Sequence, residues 1–166
     1  MKFMAVFIIM TCNLILQSTL LQYFKIFNII PNTTLVLVVV FSILWGKYRG
    51  ASIGLVAGLV QDILFGEMVG TNALIYMLIG LIIGSLESSI FKENSFTPVF
   101  FSTLSTFVYH LLFYFIMTIA DNQIPFLLIL RKIVLIEVIY NAVFSVAIYK
   151  IIYSLTKHQN LRIRAR

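Results

Sequence analysis

The chain reads as an all-α integral membrane protein, a compact bundle of about six transmembrane helices. Three observations carry that reading. Apolar residues make up 61% of the 166 and charged residues 11%, with a mean hydropathy of +1.03; no soluble core hides that much apolar surface. Apolar segments recur from end to end without the polar/apolar alternation of a barrel strand, so the backbone satisfies itself in helices. The third observation is the placing of glycine. All eight glycines lie between Gly46 and Gly84, and Gly46, Gly50, Gly54, Gly58, Gly66 and Gly70 fall in a four-residue series broken only at Asp62. Four residues advance a helix by roughly 400°, so Gly50, Gly54 and Gly58 form one stripe on one face. A stripe of missing side chains lets a second backbone approach closely, the usual way helices associate in lipid. A glycine-lined ligand groove is the alternative.

Taken in order, residues 3–21 form the first expected span, preceded by Lys2. No small-residue cleavage site follows the apolar run, so it reads as uncleaved rather than as a signal peptide. Thr11, Ser18 and Gln22 share a face, as do Asn13 and Gln17, and both sets are suited to hydrogen bonds between helices. The lone Cys12 permits no internal disulfide and no cysteine-based metal site. Pro31-Asn32 turns the chain into a short span over 33–45. Lys47 and Arg49 occupy a polar turn before the glycine-striped span 50–65, and a span over 71–86 carries its own small pair, Gly80 and Gly84. These three are shorter than the roughly 20 residues that cross a bilayer untilted. The longer helices are therefore expected to shield them from lipid.

Residues 87–97 form the longest polar loop, and an aromatic-rich span over 99–120 contains His110. Asp121-Asn122-Gln123 marks a turn, Arg131-Lys132 follow, and the last span covers 133–155 with Glu137 and Asn141 inside it. One transmembrane unit is thus expected over 1–156, with a basic tail over 157–166. At one set of span ends stand nine Lys or Arg (Lys2, Lys47, Arg49, Lys92, Lys150, Lys157, Arg162, Arg164, Arg166), and at the other only Lys25, Arg131 and Lys132. The positive-inside rule then puts both termini in the cytoplasm. There the tail attracts anionic headgroups; nucleic acid is not an expected partner.

Ionisable groups inside spans are functional candidates by default. With cytoplasmic termini, Asp62 and Glu137 each fall about one turn below the outer surface, level with Gln61, Arg131 and Lys132. The simplest expectation is an ionic cross-brace among them; a solute site and a catalytic carboxylate pair are the alternatives. An intramembrane hydrolase would need Asp62, His110 and Glu137 to converge, and their expected depths differ. No HExxH or CxxC motif occurs, so neither a catalytic residue, a metal site nor a cofactor is expected.

Several of these stretches resemble the rod shape-determining protein MreD family. They are Pro31-Asn32 before a short apolar span, the run GLVAGLVQDILFGEMVGTNALIY with Asp62, Gly66, Gly70 and Asn72-Ala73-Leu74, and EVIYNAVFSVAIYKIIYSL with Tyr140-Asn141-Ala142. Asn32 stands where many relatives carry aspartate. The resemblance implies a non-enzymatic component of the bacterial wall-elongation complex in the cell membrane. Its implied partners are the one-span protein MreC, the actin-like MreB and the lateral-wall synthase. It also implies a fold similar to the substrate-binding subunits of energy-coupling-factor vitamin transporters. A vitamin or solute uptake subunit is accordingly the alternative function. The Ala-xxx-Ala pair such subunits offer on their first span is missing here, where Ala5 is followed by Ile9.

Overall fold

The computed structural model describes residues 3–65, 68–92, 94, 96–120 and 135–164. The described chain is helical: α1 (Phe3–Ser18), α2 (Leu20–Tyr23), α3 (Thr33–Trp45), α4 (Lys47–Phe65), α5 (Thr71–Ser85), a 3-10 turn (Glu87–Ser89), α6 (Phe96–Ile119) and α7 (Leu135–Arg164). Among the described residues, three stretches are long and apolar enough to cross a membrane: Met4–Tyr23, Phe96–Ile119 and Leu135–Lys157.

α3 is the axis of the bundle. Its sequence TTLVLVVVFSILW has no polar stripe, and all of it except Trp45 is buried. A helix that is apolar all round is either lipid-facing or central; here α1, α4, α5, α6 and α7 surround it. Its 13 residues span about 20 Å at 1.5 Å each, less than the roughly 30 Å of hydrocarbon in a bilayer. The surrounding helices therefore supply its apolar environment. Buried Pro31 enters α3 without an N–H that would need a partner. Asn32 then caps it, its Oδ1 accepting from Leu35 N at 3.0 Å.

α4 and α5 form an antiparallel hairpin that packs closely along its length. Going up α4, Lys47, Gly50, Gly54 and Gly58 meet Gly84, Gly80, Tyr76 and Ala73 of α5 in reverse order. A Cβ at Gly58 would lie 2.5 Å from Ala73 Cα, and one at Gly80 would lie 2.6 Å from Gly50 O. Built at Gly54, it would collide with the Tyr76 carbonyl. Backbone faces backbone at each of these points, so dispersion acts over the shortest separation helices allow.

The first apolar stretch is not one helix. It is interrupted at Thr19, whose N–H and Oγ1 both bond Ile15 O, at 3.0 and 2.6 Å, a back-bond of the kind that bends helices. Thr11 and Ser18 bond carbonyls of their own helix, and Gln22 of α2 reaches back to the Gln17 carbonyl of α1, so among the described residues that face makes no bond to α3–α7. Asn13 and Gln17 do reach across, both to the Thr34 hydroxyl of α3, at 3.0 and 2.8 Å. The chain then reverses before Pro31. Ile26 and Ile29 exchange backbone bonds around Phe27 (φ 50°) and Asn28 (φ 67°). Two positive φ values suit a two-residue hairpin turn, but Phe-Asn lacks the glycine that usually signals one. At the other terminus α7 carries the basic segment onward as helix, to Arg164.

Candidate functional site

Many polar residues of the bundle interior join in one network of hydrogen bonds and one ring contact, apart from the Asn13–Thr34–Gln17 group described above. It begins at the α5 N-terminus, where the capping position is Gly70 (φ +103°) and offers no side chain. The first-turn N–H groups there need acceptors, and Asp62 of α4 supplies them. Its Oδ2 accepts from Gly70 N and Ala73 N at 2.9 and 3.1 Å, its Oδ1 from Asn72 N and Nδ2 at 3.2 and 2.7 Å. Four donors fill the roughly four lone-pair positions of a carboxylate, and the helix dipole favours the negative charge there. The side chain is 1% exposed.

From Asn72 the network crosses to α6, where Tyr109 OH donates to Asn72 Oδ1 at 2.7 Å. The Tyr109 ring packs on Tyr76 of α5, centroids 5.6 Å apart. Tyr76 OH donates to Asn32 Oδ1 at 2.9 Å and lies 3.4 Å from Gln61 Oε1. Asn32 N in turn donates to Asn141 Oδ1 of α7 at 2.9 Å, and Asn141 Nδ2 to Thr106 Oγ1 at 2.9 Å. One turn along, His110 Nε2 and Glu137 Oε2 are 2.8 Å apart. The α6–α7 contact is thus an i,i+4 pair, Thr106 and His110, meeting another, Asn141 and Glu137, in antiparallel order.

The described partners of Asp62 stand at a helix end and that of Glu137 is His110; Arg131, Lys132 and Gly66, and with them the expected cross-brace, lie outside the described residues. His110 and Glu137, expected at different depths, share one level, because α6 and α7 run antiparallel in that register. The glycine stripe is covered too: Gly50 lies against Ser42 of α3 and Gly80 of α5, while Gly54, Gly58 and Gly84 face the partner helix of the hairpin. Within the described chain, the face made by Gly50, Gly54, Gly58, Gly80 and Gly84 is an internal seam.

Sequence reasoning missed Tyr76, Tyr109 and Thr106 as members of the network. Membrane tyrosines read as interfacial, and the signal available was spacing: Asn72 and Tyr76, like Thr106 and His110, stand one turn apart. Among the described residues, Thr33 Oγ1 and Ser102 Oγ are the buried side-chain polar atoms without a hydrogen-bond partner. An interior so nearly saturated holds helices in register. No group of three or more His, Cys, Asp or Glu suited to a metal occurs among the described residues.

The model of the family described as rod shape-determining protein MreD matches residues 1–159. No curated protein and no solved structure matches the chain, so the expected likeness to vitamin-transporter subunits gains no support. A match running from α1 nearly to the end of α7 takes in the glycine seam, the Asp62 cap and the Asn32–Asn141 link together. The chain is a membrane protein that belongs to the MreD family of rod shape-determining proteins.

Proposed function

We propose that this protein is a non-enzymatic scaffold of the bacterial wall-elongation complex. In this reading it holds an MreC-like one-span partner in the cell membrane, and through it MreB and the lateral-wall synthase. The observation that carries the reading is the family match over residues 1–159. The interior supports it: its polar groups bond one another, which suits a body of fixed shape better than a reaction centre. The glycine seam is occupied within the chain, so partner contacts fall to the outer faces of the bundle. Six membrane crossings with both termini in the cytoplasm follow from the nine-to-three division of Lys and Arg. The basic end of α7 then faces anionic headgroups.

Depletion from a rod-shaped host is expected to give rounded, widening cells, and mild-detergent purification to recover a one-span partner. Unchanged shape together with a new vitamin requirement would reverse the assignment in favour of an uptake subunit. A fluorescent reporter active only in the cytoplasm should glow after Arg166 and within 87–97, and stay dark after Gly66 or Asn122. Fluorescence at Gly66 would refute the six-crossing arrangement.

A further inference from the structure

A second feature lies at the opposite end of the α4–α5 hairpin from Asp62. Where α4 begins and α5 ends, the surface opens into a cleft of about 550 Å³ lined in part by Trp45, Lys47, Tyr48, Arg49, Glu87 and Ser88. Its size falls within the ~300–1,000 Å³ of small-ligand sites. The charge is unbalanced. Among the described residues the ion pairs are Lys92–Glu87 and His110–Glu137, so Lys47 and Arg49 have no carboxylate partner. The one carboxylate of the cleft, Glu87, is engaged by Lys92, whose Nζ also reaches Leu44 O at 3.4 Å. Lys47 instead rests over the Tyr48 ring, 4.9 Å from its centroid. Two cations without a carboxylate partner among the described residues, lining the cleft with Ser88, make a site for a phosphate.

The surroundings favour a lipid over a soluble anion. Trp45, the chain's one tryptophan, and Tyr48, 75% exposed, stand at the rim, and such rings collect at headgroup level. From Tyr48, spacings of seven, four and four residues carry the same face of α4 through Leu55, Leu59 and Ile63. Those three are 43%, 40% and 65% exposed. An acyl chain lying in that apolar lane would bring its headgroup to the cleft. We propose that the cleft binds the phosphate of an anionic phospholipid headgroup, with Lys47 and Arg49 as its cations and the α4 lane beneath for its tail. The assignment stands independently of the scaffold reading.

The test uses the full chain in a nonionic detergent, titrated with phosphatidylglycerol, phosphatidylcholine or inorganic phosphate. Native mass spectrometry reads occupancy and thermal unfolding reads stabilisation. Phosphatidylglycerol is expected to bind with about one equivalent preferentially retained, and phosphatidylcholine weakly. Lys47→Gln with Arg49→Gln should weaken phosphatidylglycerol about thirty-fold, which is about 2 kcal/mol at one per surface cation. Ser88→Leu, which removes the hydroxyl and narrows the cleft while keeping both charges, should also weaken it. Lys47→Arg should retain binding, as should Lys150→Gln on α7. Helical circular dichroism and a monodisperse elution profile certify each variant as folded. Binding by the folded double variant within two-fold of the original would overturn the proposal. So would equal retention of phosphatidylcholine, or stabilisation by inorganic phosphate alone that matches the lipid.

Discussion

Replacing Asp62 by asparagine tests the central joint of the interior at almost constant volume. The carboxylate accepts four N–H groups, two on each oxygen, at 2.7–3.2 Å. An amide keeps one accepting oxygen and turns the other into a donor. Whichever way it is oriented, two donors lose their acceptor and face an NH2 group instead. Hydrogen bonds to a charged group contribute about 1.5–3 kcal/mol each, so two removed correspond to roughly 3–6 kcal/mol before relaxation. At 1% exposure water cannot take over the role, but the glycine-bearing turn into α5 can shift. The expected net loss is about 3 kcal/mol, a large share of the ~5–15 kcal/mol that holds a typical domain folded. Asp62→Ala, which removes all four acceptors, should lose more. Unfolding in mixed micelles of rising dodecyl sulfate content gives the free energy, and hydrogen exchange across residues 70–76 locates it. A variant within about 0.5 kcal/mol of the original, the range of an inconsequential surface change, with unchanged exchange at 70–73, would refute the capping role.

Three further outcomes are expected. Gly54→Ala should cost about 1–3 kcal/mol or more, as overpacking does, because the new methyl meets the Tyr76 carbonyl rather than a movable side chain; Leu55→Phe, at a 43% exposed position, should accumulate in membranes normally, and equal accumulation of the two would contradict the seam. A double-mutant cycle on His110→Ala and Glu137→Ala should give a coupling of about 1–3 kcal/mol, and strict additivity would mean that the 2.8 Å contact contributes nothing. Asn141→Leu should destabilise by about 2–3 kcal/mol by leaving the buried Asn32 N–H without an acceptor, against about 1 kcal/mol for Tyr76→Phe, since Leu35 N still bonds Asn32 Oδ1; thermal unfolding of the pair ranks them, and the reverse order would remove Asn141 from the centre of the network.

The sequence by itself determined the class of the protein and where most of its helices run. Composition alone demands lipid, lipid demands helices, and the regular return of polar and glycine-bearing turns marks where many of them end. Periodicity along one helix also picked out the glycine stripe, and polarity inside an apolar span picked out Asp62, His110, Glu137 and Asn141, since both are local properties of the chain. Even locally there were failures. The break at Thr19 and the hairpin at Phe27-Asn28 depend on backbone choices for which those residue types carry no strong signal.

Partnership belonged to the tertiary structure. Asp62 read as half of an ion pair because charge is visible in a sequence; the unpaired N–H groups of a helix end, which it caps, are present in every helix and therefore invisible. His110 met Glu137 only once two antiparallel helices, 27 positions apart at that contact, adopted one register among several that their apolar faces allow. The same holds for α3. Thirteen consecutive residues without a polar stripe look alike whether they face lipid or the centre of a bundle, because hydrocarbon and an apolar protein interior are nearly equivalent solvents for them. Only the helices that close around α3 decide the matter.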